Sequence, residues 1–168
     1  MKKVLMLVMT LLVLTACGSS KTLEIKDEET GYNAVFKLSE NDDYVIEDIN
    51  KIEGSFTEYL VTSKSLNIKS NIYFYEIGKT VYQDNKDYRK NQDGFSEYKF
   101  NKKEAYLYYD TENSFQLNII LKEKDEKYIV LYIYTTINDK DQETNIKDII
   151  NNKSFKKMLN TIDFKIEK

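Results

Sequence analysis

From Leu23 onward, apolar and polar residues alternate in short runs, and near the C-terminus that spacing changes. Residues 23–26 and 32–38 alternate around the polar stretch 27–31. Tyr32, Ala34, Phe36 and Leu38 then share one face, which predicts a hairpin. Residues 44–52 fit a strand or a helix. Ser55-Phe56-Thr57-Glu58 has the spacing of a capping box and follows Gly54, so a short helix to about Ser63 is predicted. Residues 66–77 read as one long strand, or as two strands bent near Ser70. Residues 84–94 are strongly polar and predict an exposed loop with room for one helical turn.

Two further hairpins follow. Residues 95–100 and 105–110 flank Asn101-Lys102-Lys103-Glu104, where Asn suits the left-handed turn position. Residues 115–122 and 128–137 flank residues 123–127. Phe115, Leu117, Ile119 and Leu121 lie on one face of the first arm. The second arm is apolar on both faces, which places it centrally in a sheet. The period then becomes helical: Ile146, Ile149 and Ile150 follow Thr144 or Asn145 as a cap. Ser154 is the expected cap of a second helix carrying Phe155, Met158, Leu159 and Ile162. Phe164 and Ile166 alternate again as a closing strand. Many antiparallel strands followed by helices make an α+β pattern: an antiparallel sheet with helices packed on it.

The N-terminus has a different layout. Lys2 and Lys3 precede an uncharged run from Val4 to Thr15, and the chain turns polar at Gly18-Ser19-Ser20-Lys21. That is the layout of a signal peptide. The run is shorter than the ~20 apolar residues that span a bilayer as a helix. Leu14-Thr15-Ala16-Cys17 resembles the bacterial lipobox. The resemblance implies cleavage before Cys17, with Leu14, Thr15 and Ala16 read by the signal peptidase. Diacylglycerol is then joined to the Cys17 sulfur, and in many bacteria a further acyl chain to the new terminus. Two or three chains hold firmly where one binds only marginally. The competing reading is an ordinary secretory signal with a chance cysteine. The expected division is therefore a signal peptide over residues 1–16, a lipidated cysteine and short tether over 17–21, and one domain over 22–168. The expected location is the outer face of the cell membrane.

Composition narrows the chemistry. Losing Lys2 and Lys3 leaves 23 basic residues against 28 acidic ones, a net charge of −5. With no dense basic block, nucleic acid is not an expected partner. Cys17 is the only cysteine, and His, Pro and Trp are absent. A lone cysteine excludes an intramolecular disulfide, and the absence of His excludes imidazole-based triads. The usual zinc, copper and haem ligands are missing. Residues 139–145 carry acids at alternate positions, as calcium loops do, but Thr144 and Ile150 stand where Gly and the bidentate Glu belong. A solvated loop is the plainer reading, and no metal or cofactor is expected. Abundant Lys, Asn, Ile and Tyr suit an AT-rich, Gram-positive source.

Three segments together resemble small Firmicute lipoproteins of the PsbP/Mog1-like fold. They are Asn101-Lys102-Lys103-Glu104-Ala105-Tyr106-Leu107-Tyr108-Tyr109, Lys127-Tyr128-Ile129-Val130-Leu131-Tyr132-Ile133, and Phe155-Lys156-Lys157-Met158-Leu159-Asn160-Thr161-Ile162-Asp163-Phe164. The family's usual turn glycine is Lys102 here. The resemblance implies architecture and no catalytic residues.

The fourteen tyrosines are the most unusual feature. Tyr suits half-buried sheets, and it also suits binding surfaces, offering wide contact with a polar tip. Tyr73 with Tyr75, Tyr106 with Tyr108, and Tyr132 with Tyr134 each point one way from their strand. These six would form one aromatic patch if their strands are neighbours. The leading expectation is a non-catalytic binding or accessory protein of the cell envelope, contacting a protein or glycan. The alternatives are a small carboxylate-based envelope hydrolase and a shielding or immunity-type structural lipoprotein.

Overall fold

The computed structural model describes residues 21–52, 56–92, 94–138 and 144–167. Leu14, Thr15, Ala16, Cys17, the expected cap Ser55 and the acidic residues 139–143 lie outside the described residues.

Ten strands form two antiparallel sheets, with three helices among the described residues. Strands β1 (Thr22–Asp27) and β2 (Tyr32–Lys37) form the predicted hairpin, and β10 (Asp163–Ile166) pairs with the other side of β2. The second sheet has seven strands: β3 (Val45–Ile52), β4 (Phe56–Ser63), β5 (Ile68–Gly78), β6 (Ser96–Phe100), β7 (Lys103–Thr111), β8 (Ser114–Lys124) and β9 (Lys127–Ile137). Their spatial order is β3-β4-β5-β9-β8-β7-β6. The doubly apolar β9 is indeed central, bonded to β5 on one side and β8 on the other.

One face of the seven-stranded sheet carries the main core. Ile72 and Phe74 of β5, Leu117 and Ile119 of β8, and Leu131 and Ile133 of β9 are buried there. The small sheet covers them with Leu23, Ile25, Ala34 and Phe36. Helices α2 (Ile146–Asn151) and α3 (Lys153–Asn160) complete the layer, and Phe155 meets Phe115 edge-on with ring centres 6.1 Å apart. Tyr59 ties the two sheets together: its hydroxyl donates to the Lys26 carbonyl at 2.6 Å and accepts from the Lys26 N–H at 3.1 Å. The third helix, α1 (Lys79–Arg89), lies on the opposite face.

Three local expectations are corrected, and the choice between one strand and two over residues 66–77 is decided for one. The capping-box helix to Ser63 is strand β4, because Thr57, Tyr59, Val61 and Ser63 bury at every second position between β3 and β5. The predicted loop over 84–94 begins as the second half of α1. Only Tyr82 of that helix is buried, so no apolar stripe announces it. Ser154 does not cap α3. The Asn152 side chain does, accepting from the N–H groups of Ser154 (2.8 Å) and Phe155 (3.1 Å), while Ser154 Oγ donates to Asp42. β5 runs through Ser70 as one strand, since the Ser70 hydroxyl pairs with that of Thr135 at 2.9 Å across the β5–β9 ladder. The open choices also resolve. Residues 45–52 form a strand, and Asn145 caps α2 by accepting from the Lys147 N–H at 2.9 Å.

Candidate functional site

Strand register brings five of the six singled-out tyrosines together on the face away from the main core. Tyr73 pairs with Tyr132, Tyr132 with Asn118, and Asn118 with Tyr106, so one row crosses β5, β9, β8 and β7. Tyr134, Gln116 and Tyr108 form the next row. Side chains two apart on a strand share a face, so Tyr75 joins Tyr73. The Tyr73 and Tyr132 rings lie 4.8 Å apart, and Tyr75 lies 6.4 Å from each. Tyr106 and Tyr108 stack at 6.4 Å.

Helix α1 roofs one side of this floor. Tyr82 packs edge-on against Tyr106 at 5.4 Å and against Tyr128 at 5.2 Å. Lys79 at the start of the helix pairs with Glu123 at 2.5 Å, and Lys86 pairs with Glu97 at 3.1 Å. These contacts hold the helix across the strands. Its last turn then places Asn85, Tyr88 and Arg89 over the groove, with the Arg89 guanidinium 4.4 Å above the Tyr108 ring.

Between helix and sheet lies an open groove of about 500 Å³, lined by Tyr73, Tyr75, Tyr106, Tyr108 and Tyr132 with Asn85, Tyr88, Arg89, Gln116 and Asn118. That volume falls within the range of ligand sites. Tyr106 and Tyr108 are buried in its floor, Tyr73, Tyr75 and Tyr132 are half-buried, and Tyr88 stands 70% exposed on the rim. Tyr134 shares the face but not the groove, and its hydroxyl reaches Asp110 at 3.5 Å. Tyr75 Oη donates to Asn118 Oδ1 at 2.9 Å, and Tyr108 Oη donates to Gln116 Oε1.

Burial pushes the phenols of Tyr73, Tyr75, Tyr106 and Tyr132 upward. Burial also raises Tyr108 to about 12, against the lowering effect of Arg89. The rings are therefore neutral and protonated near pH 7. No carboxylate is among the described lining residues, so the groove holds no acid–base pair of the kind glycoside hydrolysis uses. The buried acids Asp27 and Asp42 sit elsewhere in turns, accepting from the N–H groups of Glu29 and Ser39. Among the described residues no three acidic side chains converge as a metal-holding group.

Sequence reasoning missed Gln116, Asn118 and the three residues of α1. The first two alternate with Phe115, Leu117 and Ile119, a pattern that already placed them on the second face. Arg89 is the chain's only arginine, a signal of its own. Compared with protein-family models, curated proteins and solved structures, the chain matches none.

Proposed function

We propose that the chain is a membrane-anchored extracytoplasmic lipoprotein whose tyrosine groove is a non-catalytic binding site for a component of the cell envelope. The observation that carries the binding reading is the convergence of six tyrosines and three amide side chains in one open groove, with no carboxylate among its described lining residues. The lipobox at residues 14–17 supports the anchor, with lipid on Cys17. No helix among the described residues is long and apolar enough to cross a membrane. The architecture we propose is PsbP/Mog1-like. The hairpin turn at Asn101, the long strand from Lys127 and the final helix–strand unit support it.

The described chain begins at the small sheet, on the side of the seven-stranded sheet away from the groove. The Lys21 carbonyl accepts from the Leu38 N–H at 2.8 Å, so the chain is already joined to the small sheet four residues after Cys17. Such a tether spans at most about 14 Å. The groove lies on the other face of the seven-stranded sheet from the one that the small sheet covers.

Membrane fractionation of the wild type against Cys17→Ala tests the anchor. The wild type is expected in the membrane fraction, as a lipid-modified species by mass, and the variant in the soluble fraction. A bare Cys17, or a mature terminus elsewhere, ends this reading. Crosslinking in intact cells from a photoreactive residue at Tyr88, with and without Tyr132→Ala, tests the groove. An adduct lost in the second variant supports it.

A further inference from the structure

We propose that the occupant of this groove is an oligosaccharide bearing a carboxylate; the inference rests on reading the groove as a binding site. Three features of the groove point to that chemistry.

The first is Arg89. Its side chain is half-buried, and its Nη1 donates to Gln92 Oε1 at 3.0 Å. Every ion pair among the described residues is made by a lysine, and none involves Arg89. Asp110 and Glu112 line the adjoining cavity with Arg89, yet neither lies within ion-pair distance. A guanidinium has five N–H donors in a planar fork that matches a carboxylate. The guanidinium lies over the Tyr108 ring, and among the described residues none of its donors is paired with a carboxylate.

The second is the polarity of the floor. Asn118 and Gln116 use their carbonyl oxygens to accept from Tyr75 and Tyr108. Their NH₂ ends make no hydrogen bond to a described residue. The groove therefore offers donors, and suits a ligand rich in acceptor oxygens.

The third is the ring surface. Tyr73 and Tyr132 form a half-buried pair, and Tyr88 stands on the rim. The negative face of an aromatic ring attracts polarised C–H groups, and the flat faces of a pyranose present a row of them. A sugar chain with a uronate or carboxyalkyl group combines all three features. A cationic ligand would meet Arg89. A nucleic acid needs several cations along its phosphates, and the groove has one. A proline-rich peptide would share the ring packing but bring no anion to Arg89.

The test uses the full-length lipoprotein in detergent on an array of carboxylate-bearing and neutral oligosaccharides that includes proline-rich peptides. The best acidic glycan is then measured by calorimetry beside its methyl ester. Binding below about 1 mM is expected for acidic glycans. Arg89→Gln and esterification should each weaken it at least tenfold, and together little further, because both remove the same contact. Tyr132→Ala should abolish binding of acid and ester alike. Unchanged thermal melting of both variants shows that the fold is intact. Neutral glycans bound as tightly as acidic ones, indifference to Arg89→Gln, binding of proline-rich peptides alone, or no glycan bound would each overturn the proposal. If no glycan binds but the Tyr88 crosslink still depends on Tyr132, the groove remains a binding face and only the sugar is wrong. If both are silent, the binding reading falls as well.

Discussion

Burial raises the phenol pKa of nine tyrosines, among them Tyr44, Tyr75 and Tyr82, and takes Tyr32 and Tyr108 to about 12. A folded-state value above the ordinary 10.0 means that the native protein holds those protons more tightly than the unfolded chain. Their stabilising contribution is complete below pH 10 and is lost as pH rises through the folded values. The expected outcome is steep loss of urea stability above pH 10, with most tyrosinate absorbance appearing together with unfolding. A gradual titration centred on the ordinary value in a protein that stays folded would refute it. Gly31 is a second sensitive residue. Its φ is +72°, and an added Cβ would stand 2.0 Å from the Glu167 carbonyl oxygen. Gly31→Ala should therefore cost about 1–3 kcal/mol in chemical denaturation, by straining the turn and pushing β10 away from β2.

Turns and caps are where single elements can be adjusted. The β6–β7 turn places Asn101 and Lys102 at φ 45° and 66°, and the β8–β9 turn places Asp125 and Glu126 at 48° and 60°. Two left-handed residues make the tight turn that suits the twist of paired strands, and the second position favours glycine. Lys102→Gly and Glu126→Gly should each stabilise the protein by about 0.5–1 kcal/mol, read from the midpoint of urea unfolding. Helix α3 depends on Asn152. Asn152→Ala should cost about 1 kcal/mol by leaving the N–H groups of Ser154 and Phe155 without their acceptor. A loss no larger than that of an exposed lysine-to-alanine control would show that the cap contributes little.

Across the whole molecule, protection should follow the topology. β9 is paired along its full length by β5 and β8, and its inward side chains Leu131 and Ile133 lie in the main core. β3 is an edge strand with a bulge between Ile46 and Asp48, and Val45 and Ile49 are 56% and 48% exposed. Hydrogen exchange should therefore be slowest in β9 and fastest among the strands in β3 and β6. Equal protection in β3 and β9 would contradict this order.

The hairpins, the central place of β9 and the C-terminal helices could be read from the sequence, because alternation, helical spacing and turn residues act within a few residues of one another. So could the pairing of tyrosines along each strand, since every second side chain shares a face. Strand β4 could not. Ser55 to Glu58 look like a helix start locally, and pairing with β3 is what makes the described residues Phe56 to Glu58 extended. Helix α1 was hidden for a related reason: it is held to the sheet mainly by Tyr82 and by lysine pairs with Glu97 and Glu123, contacts made with distant segments. The groove itself was decided by tertiary structure. β5 lies beside β9 although some fifty residues separate them in the chain, and that order sets Tyr73 against Tyr132. The folding of α1 onto the same face then carries Arg89 over Tyr108. Local spacing selects which side chains face together, whereas long-range strand order selects which of those faces meet.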